Sequence, residues 1–434
     1  MKILTKLFGF NPQKHSVKTE IIAGITTFLT MAYILAVNPN IFSALARQGM
    51  DTNAVFSATV LAAVVGTVIM AIYAKLPFGL APGMGLNALF VYTVCIGMGH
   101  TWQFALTAIF IEGVIFIILT VLNIRTMIVN AIPATMKKAI GAGIGLFIAF
   151  IGMQNAGIIV NDDATLVTLG DCTSGSALLA IIGTIISAFF LIRNIKGGIL
   201  YGILITSIIG IPMGITHYTG LMSVPPSVAP IFCQFQWHDI CSFDMIIVVF
   251  TFLFFDMFDT MGTLIGVSSR ASMLDEKGNM PEMNKAFMSD AVATMVGACL
   301  GTSTTTTYVE SSSGVAAGGR TGLTAFTTAV CFALALFFSP LFLAIPSAAT
   351  APALIIVGLF MIAPLKDFNY HDYSESLPAF FTLILMPLAY SISDGILIGI
   401  IFYTVVNLIT GKHQKLTPTL YVLTIIFILR YVFI

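Results

Sequence analysis

The chain has 434 residues, of which 58% are hydrophobic and only 9% charged. A soluble protein of this size carries about a quarter charged residues, so a large soluble enzyme is excluded and a membrane protein indicated. The 19 basic and 19 acidic residues cancel, leaving no basic surface for nucleic acid. The six cysteines show neither CxxC pairs nor Cys/His ligand spacing, so no metal site is indicated, and only Cys233 and Cys241 share a loop in which they could pair.

In chain order, residues 1–16 are short and basic and read as a cytoplasmic N-terminus without a cleavable signal. Apolar runs then predict fourteen spans, at 21–37, 54–74, 77–97, 103–122, 138–155, 176–193, 197–216, 245–267, 285–300, 303–317, 322–341, 351–365, 376–391 and 394–411. With the N-terminus inside, every basic residue except Arg47 falls on the inner side, which supports both topology and count. The apolar stretch 416–434, interrupted by Arg430, is expected to lie on the membrane as an amphipathic helix.

Spans one and eight share a T-F-L core at an offset of 224 (Thr26–Met31 against Phe250–Phe255). Spans two and nine match at an offset of 231 (Phe56–Gly66 against Phe287–Gly297). Two halves of seven spans must be inverted in the membrane, an arrangement of secondary transporters with the site at the repeat interface. The same offsets place Glu310 opposite Gly79–Asn87.

Both of those stretches break the pattern of a continuous helix. Span three holds two prolines and three glycines between Pro77 and Gly85. Span ten, TSTTTTYVESSSGVAAGGRTG, is rich in hydroxyls, and its β-branched Thr run favours an extended segment. Unpaired backbone at membrane depth is tolerated only inside protein or along a cavity. The segment Gly314–Thr321 mimics a phosphate loop, but no strand of a soluble α/β domain precedes it.

Intramembrane carboxylates point to function. Glu112, isolated among apolar residues, and Asp290, about a turn past Lys285 and expected to pair with it, are the weaker candidates. Asp256 and Asp259, three residues apart on one helix face, resist joint ionisation, as a proton-coupled carrier needs. Glu310 sits in the broken span, and Tyr308 beside it could stack on a flat ligand. No metalloprotease or nucleophile-elbow motif occurs, and the reading is of a non-enzyme without catalytic residues or cofactor.

The motifs GITTFLTMAYILAVNP, PFGLAPGMGLNALF, FLFFDMFDTMGTLIGV, GTSTTTTYVESSSGVAAGGRTGLTA and ATAPALIIVG, in this order, resemble the AzgA-like purine permeases of the nucleobase–ascorbate transporter superfamily. The resemblance runs from Thr19 to about Lys412. It implies an all-α polytopic fold of fourteen spans in two inverted repeats. A core domain (17–125 and 244–342) would move against a gate domain (126–217 and 343–411), with an extracytoplasmic loop at 218–243 and a C-terminal segment at 412–434. It implies import of adenine, guanine or hypoxanthine with protons across the inner membrane, both termini in the cytoplasm, and often a homodimer. Asp256 and Glu310 would bind the base, Gly85 and Asn87 would complete the pocket, and Asp259 would support coupling. The rival reading is an anion carrier of the same fold, against which the carboxylates count.

Overall fold

The computed structural model describes residues 2–122, 133–218, 220–270, 273, 280, 282–368 and 371–433. Arg125 and Lys277, two of the expected inner basic residues, and the 125/126 domain boundary lie outside them. Six of the described helices are long and apolar enough to cross a membrane, and shorter apolar helices accompany them.

After α1 (Lys2–Phe8), the first span is α2 (Val17–Met31) and α3 (Ile34–Phe42). Between them the helix tightens: Leu35 N–H bonds Ala32 O and Ala36 N–H bonds Tyr33 O, three residues back instead of four. Asp51 caps α4 (Thr52–Ile69), its Oδ1 accepting from Asn53 N at 2.9 Å. The third span is a strand, β1 (Leu80–Pro82), followed by α5 (Met84–Ala88), which continues helically to Gly97. Thr101 then caps α6 (Trp102–Val121).

A second set of helices follows: α7 (Ala134–Asn155), the exposed hairpin β2 (Ile159–Asp162) and β3 (Leu166–Leu169), α8 (Gly175–Ile192) and α9 (Gly198–Gly210). The chain then forms α10 (Phe243–Arg270) and α11 (Met283–Leu300). Next come β4 (Thr305–Thr307), α12 (Ser311–Ala316), α13 (Gly322–Ala335) and α14 (Ser339–Leu343). It ends in α15 (Ser347–Ile362), α16 (Tyr373–Leu388), α17 (Ile392–Ile409) and α18 (Pro418–Phe433).

The two interrupted spans solve one problem for each other. Prolines and glycines deny β1 a helix, and the threonine run does the same for β4, so both carry backbone groups that must find partners away from water. They pair antiparallel, with Leu80 opposite Thr307, Ala81 opposite Thr306 and Pro82 opposite Thr305. Gly83 N–H donates to Thr304 O at 3.0 Å and Tyr308 N–H to Gly79 O at 3.0 Å, closing both ends of the ribbon. Residues 302–307 are all buried. Glu310 thus follows directly on the strand that faces the Gly79–Asn87 stretch.

The end of the chain packs on the helices before it. Thr424 Oγ1 donates to Thr404 Oγ1 at 2.7 Å and Tyr431 OH to Asp394 Oδ1 at 2.7 Å, so α18 runs antiparallel along α17 and shares its depth. Phe427 is buried and its ring packs 5.7 Å from that of Phe250 on α10.

Candidate functional site

Glu310 occupies the turn between β4 and α12. Tyr33, at the tightened turn after α2, is fully buried and donates its OH to Glu310 Oε1 at 2.5 Å. One turn earlier, Thr30 Oγ1 reaches Glu310 O at 3.3 Å. Close packing holds the two segments together: a Cβ on Gly314 of α12 would collide with Thr27 of α2.

Glu310 opens onto a cavity of about 530 Å³. Thr30, Ser312 and Ser313 share its wall, and Asn194, Lys196 and Phe360 face them from the turn after α8 and from α15. The volume is in the range of small-molecule sites. The mouth lies beside the basic turn at Arg193–Lys196.

Behind the cavity the threonine run meets a second group of acids, all buried. Thr304 Oγ1 donates to Glu112 Oε2 at 2.9 Å, and Thr307 Oγ1 to Asp290 Oδ1 at 2.9 Å. Thr260 Oγ1 lies 2.7 Å from Asp290 Oδ2, 3.1 Å from Asp256 Oδ1 and 2.7 Å from Thr306 Oγ1. A hydroxyl carries one proton and can donate to only one of these at a time. Asp259 lies one turn past Asp256 on α10 and is half-buried.

Of the residues singled out from sequence, Glu310 alone is on the cavity wall. Asp256 and Asn87 are wholly buried behind it. Asn87 Oδ1 accepts a short bond from Ser303 Oγ, while its Nδ2 has no partner among the described residues. Gly85 allows α5 to pack against α10, since a Cβ there would strike the Phe255 ring. Tyr308 is 6% exposed and spends its OH on Pro82 O at 2.5 Å, bracing the ribbon.

One expectation needs correction. Asp290 does not pair with Lys285, whose Nζ lies 2.6 Å from Glu282 Oε2 at the surface, while Asp290 binds threonines. Glu112, alone among apolar residues in its own span, is a hydrogen-bonded buried acid, since β4 brings Thr304 to it. Tyr33 was missed. The signal available for it was the polar face Thr26, Thr30, Tyr33 at helical spacing on an otherwise apolar span.

Comparison with known proteins follows the same lines. The permease-family model matches residues 18–398. The guanine/hypoxanthine permease PbuG of Bacillus subtilis is 45% identical over 436 residues, covering 98% of this chain and 99% of that protein. The adenine permease AdeP of Escherichia coli is 42% identical over 432 residues, covering 100% and 96%. Among solved structures, the transmembrane domain of the cyanobacterial bicarbonate transporter BicA superposes with a TM-score of 0.68 over 88% of this chain and 97% of that one. At 16% identity that is a likeness of fold.

Proposed function

The chain belongs to the permease family, membrane transporters and not enzymes, and from that premise we propose that it carries purine nucleobases in symport with protons. The observation that carries the reading is Glu310: a carboxylate on the wall of a base-sized cavity, with one oxygen already held by Tyr33. A carboxylate accepts two N–H bonds at the spacing a purine edge offers. With Oε1 steered by Tyr33, the rest of the group is oriented for a ring N–H and, in guanine, the exocyclic amine. Glu310 takes the base from the cavity side, and Asp259 supports coupling. Asp256, Asn87 and Gly85 shape the site from behind, and Tyr308 keeps the ribbon in place.

The carrier works by alternating access, with residues 17–125 and 244–342 as the core and 126–217 and 343–411 as the gate. Spans one to seven and eight to fourteen are the inverted repeats, each giving four spans to the core and three to the gate, and two copies form a dimer. The cavity lies where Thr30 and Glu310 of the core meet Asn194, Lys196 and Phe360 of the gate. The other way out is filled: Asn155 Nδ2 donates to Tyr92 OH at 3.0 Å, and the Tyr390 ring packs 5.9 Å from Tyr92 and 5.5 Å from Phe147. With the basic loops in the cytoplasm this is an inward-open shape. Both termini are then cytoplasmic.

Proton coupling rests on Asp256, Asp259 and Glu310, intramembrane carboxylates that resist joint ionisation, so that one of them takes up a proton. Thr260 Oγ1 can donate to Asp256 or to Asp290 but not to both at once. Loading that proton from outside neutralises the acids as the base binds, and both ligands leave inside. The anion-carrier reading has the fold likeness to BicA in its favour. The Glu310 carboxylate on the cavity wall and the buried acids near it disfavour an anion, and the reading gives way on that ground.

The test is uptake of labelled adenine, guanine, hypoxanthine and xanthine by cells lacking their own permeases, with and without a protonophore. Purine uptake that collapses with the protonophore and is absent in Glu310→Gln is expected. Normal uptake by that variant, or competition by bicarbonate or sulfate, sinks the assignment.

A further inference from the structure

Cys233, in the long loop before α10, and Cys299, in the last turn of α11, are far apart in sequence but adjacent in the fold. Cys233 N–H donates to Cys299 O at 2.7 Å, which sets the two cysteines side by side. Ordinary bond lengths then hold their Cα atoms within the window of roughly 4.4–6.8 Å that a disulfide requires. Cys233 has φ of +52°, a left-handed conformation uncommon for a residue with a Cβ, and the loop around it must hold it there. That support is visible: Ile231 is buried against Gly301, the residue that ends α11 with φ of +93°. Cys241, the partner suggested by sequence, is exposed elsewhere in the loop.

We propose that Cys233 and Cys299 are a redox-active pair that closes to a disulfide and staples the loop to the end of α11. The loop already spans several helix ends. Pro226 O accepts from Ser57 on α4 at 2.7 Å, Gln236 N–H donates to Thr107 on α6 at 2.8 Å, and Gln236 Oε1 accepts from Thr101 at 2.6 Å. A bond at Cys233 adds α11 to this set by a covalent link. Cys233 is exposed and Cys299 half-buried, so Cys233 is the sulfur an oxidant meets first.

The oxidant is a small disulfide such as oxidised glutathione. The Cys233 thiolate attacks one of its sulfurs, forming a mixed disulfide and releasing one thiol. The Cys299 thiolate then attacks the Cys233 sulfur and releases the second. Two electrons pass to the oxidant, and the two cysteine protons end on the two released thiols. The pair lies on the face opposite the Lys196 cavity mouth, and oxidants of this kind persist outside the cytoplasm.

The experiment uses the full chain purified in detergent, treated with oxidised glutathione, then denatured and labelled with a maleimide-polymer that counts thiols on a gel. The wild type should lose two of its six reactive cysteines. Cys233→Ser should lose none of those that remain, Cys299→Ser should keep a glutathione adduct on Cys233 that nothing resolves, and peptide mass mapping of the oxidised wild type should find 233 joined to 299. In the wild type, full labelling, a link from Cys233 to Cys241, or a persistent glutathione adduct on Cys233 overturns the proposal. A variant with Cys95, Cys172, Cys241 and Cys331 all changed to Ser, keeping only the pair, must give the same cross-link. None of these readouts depends on what the protein transports.

Discussion

The protein holds two sets of buried acids that share a strand yet face different surroundings. Glu310 sits just past β4, looks into an open cavity and is held by a single phenol. Asp256, Asp290 and Glu112 sit behind β4, closed off from the cavity and bound to hydroxyls of Thr260, Thr304 and Thr307. On the proposed reading the open acid meets the base and the enclosed acids help to hold the proton. A coupled carrier needs both, linked by something that moves with either, and the ribbon of β1 and β4 touches both sets.

The largest effects should separate the two sets. Glu310→Gln is expected to cut base binding itself, by a hundredfold or about 2.7 kcal/mol, measured by labelled-base binding to purified protein. Asp290→Asn should leave binding within a few-fold of wild type while uptake no longer responds to external pH or to a protonophore. A variant of Asp290 that loses binding as completely as Glu310→Gln, with its melting temperature preserved, erases the distinction between the sets.

An intermediate effect should come from Tyr33→Phe, which removes one hydrogen bond to a carboxylate and little else. A bond of this kind contributes about 1.5–3 kcal/mol, so apparent affinity for the base should fall by roughly tenfold to a hundredfold. The expected signature is a raised half-saturation concentration with the pH response retained. Loss of the pH response without loss of affinity places Tyr33 with the buried acids instead.

What could be read from the sequence was whatever depends on local composition or on the repeat. The prolines and glycines of 77–85 forbid a helix wherever they are placed, and Thr304–Thr307 favours an extended chain, so both breaks were visible. The repeat offsets placed Glu310 against Gly79–Asn87, where β1 and β4 indeed pair. What could not be read depends on contacts between distant segments. Tyr33 meets Glu310 across 277 positions and Thr304 meets Glu112 across 192, and an apolar neighbourhood in sequence conceals both. The path of α18 was hidden for another reason. Leu, Ile, Val and Phe look the same whether they face lipid or a neighbouring helix, and the decisive groups, Thr424 and Tyr431, are single polar residues in an apolar run.

The smallest effect is expected far from either set, at the basic face. Asp372 caps α16, with Oδ1 accepting from Ser374 and from Lys412 Nζ at 2.9 Å, and Oδ2 from Lys415 Nζ at 2.7 Å. Lys415 in turn bonds Glu375, which accepts from Thr135 on α7, so the cluster ties the turn before α18 to two helices. Hydrogen bonds from Lys415, Lys412 and Ser374 hold the Asp372 carboxyl below its ordinary value of 3.8. A lowered folded-state value means the carboxylate stabilises the fold fully above the ordinary value and ceases to do so as pH falls through the folded one. The cluster is solvent-accessible, so its contribution is small and screened by salt. Asp372→Asn should therefore lower the melting temperature slightly at neutral pH and low salt, with uptake and its pH response unchanged. The gap to wild type should narrow below about pH 4 and in high salt. A gap that persists in acid assigns the effect to the lost cap and not to charge. A change in base affinity joins this cluster to the cavity and undoes the contrast between surface and site.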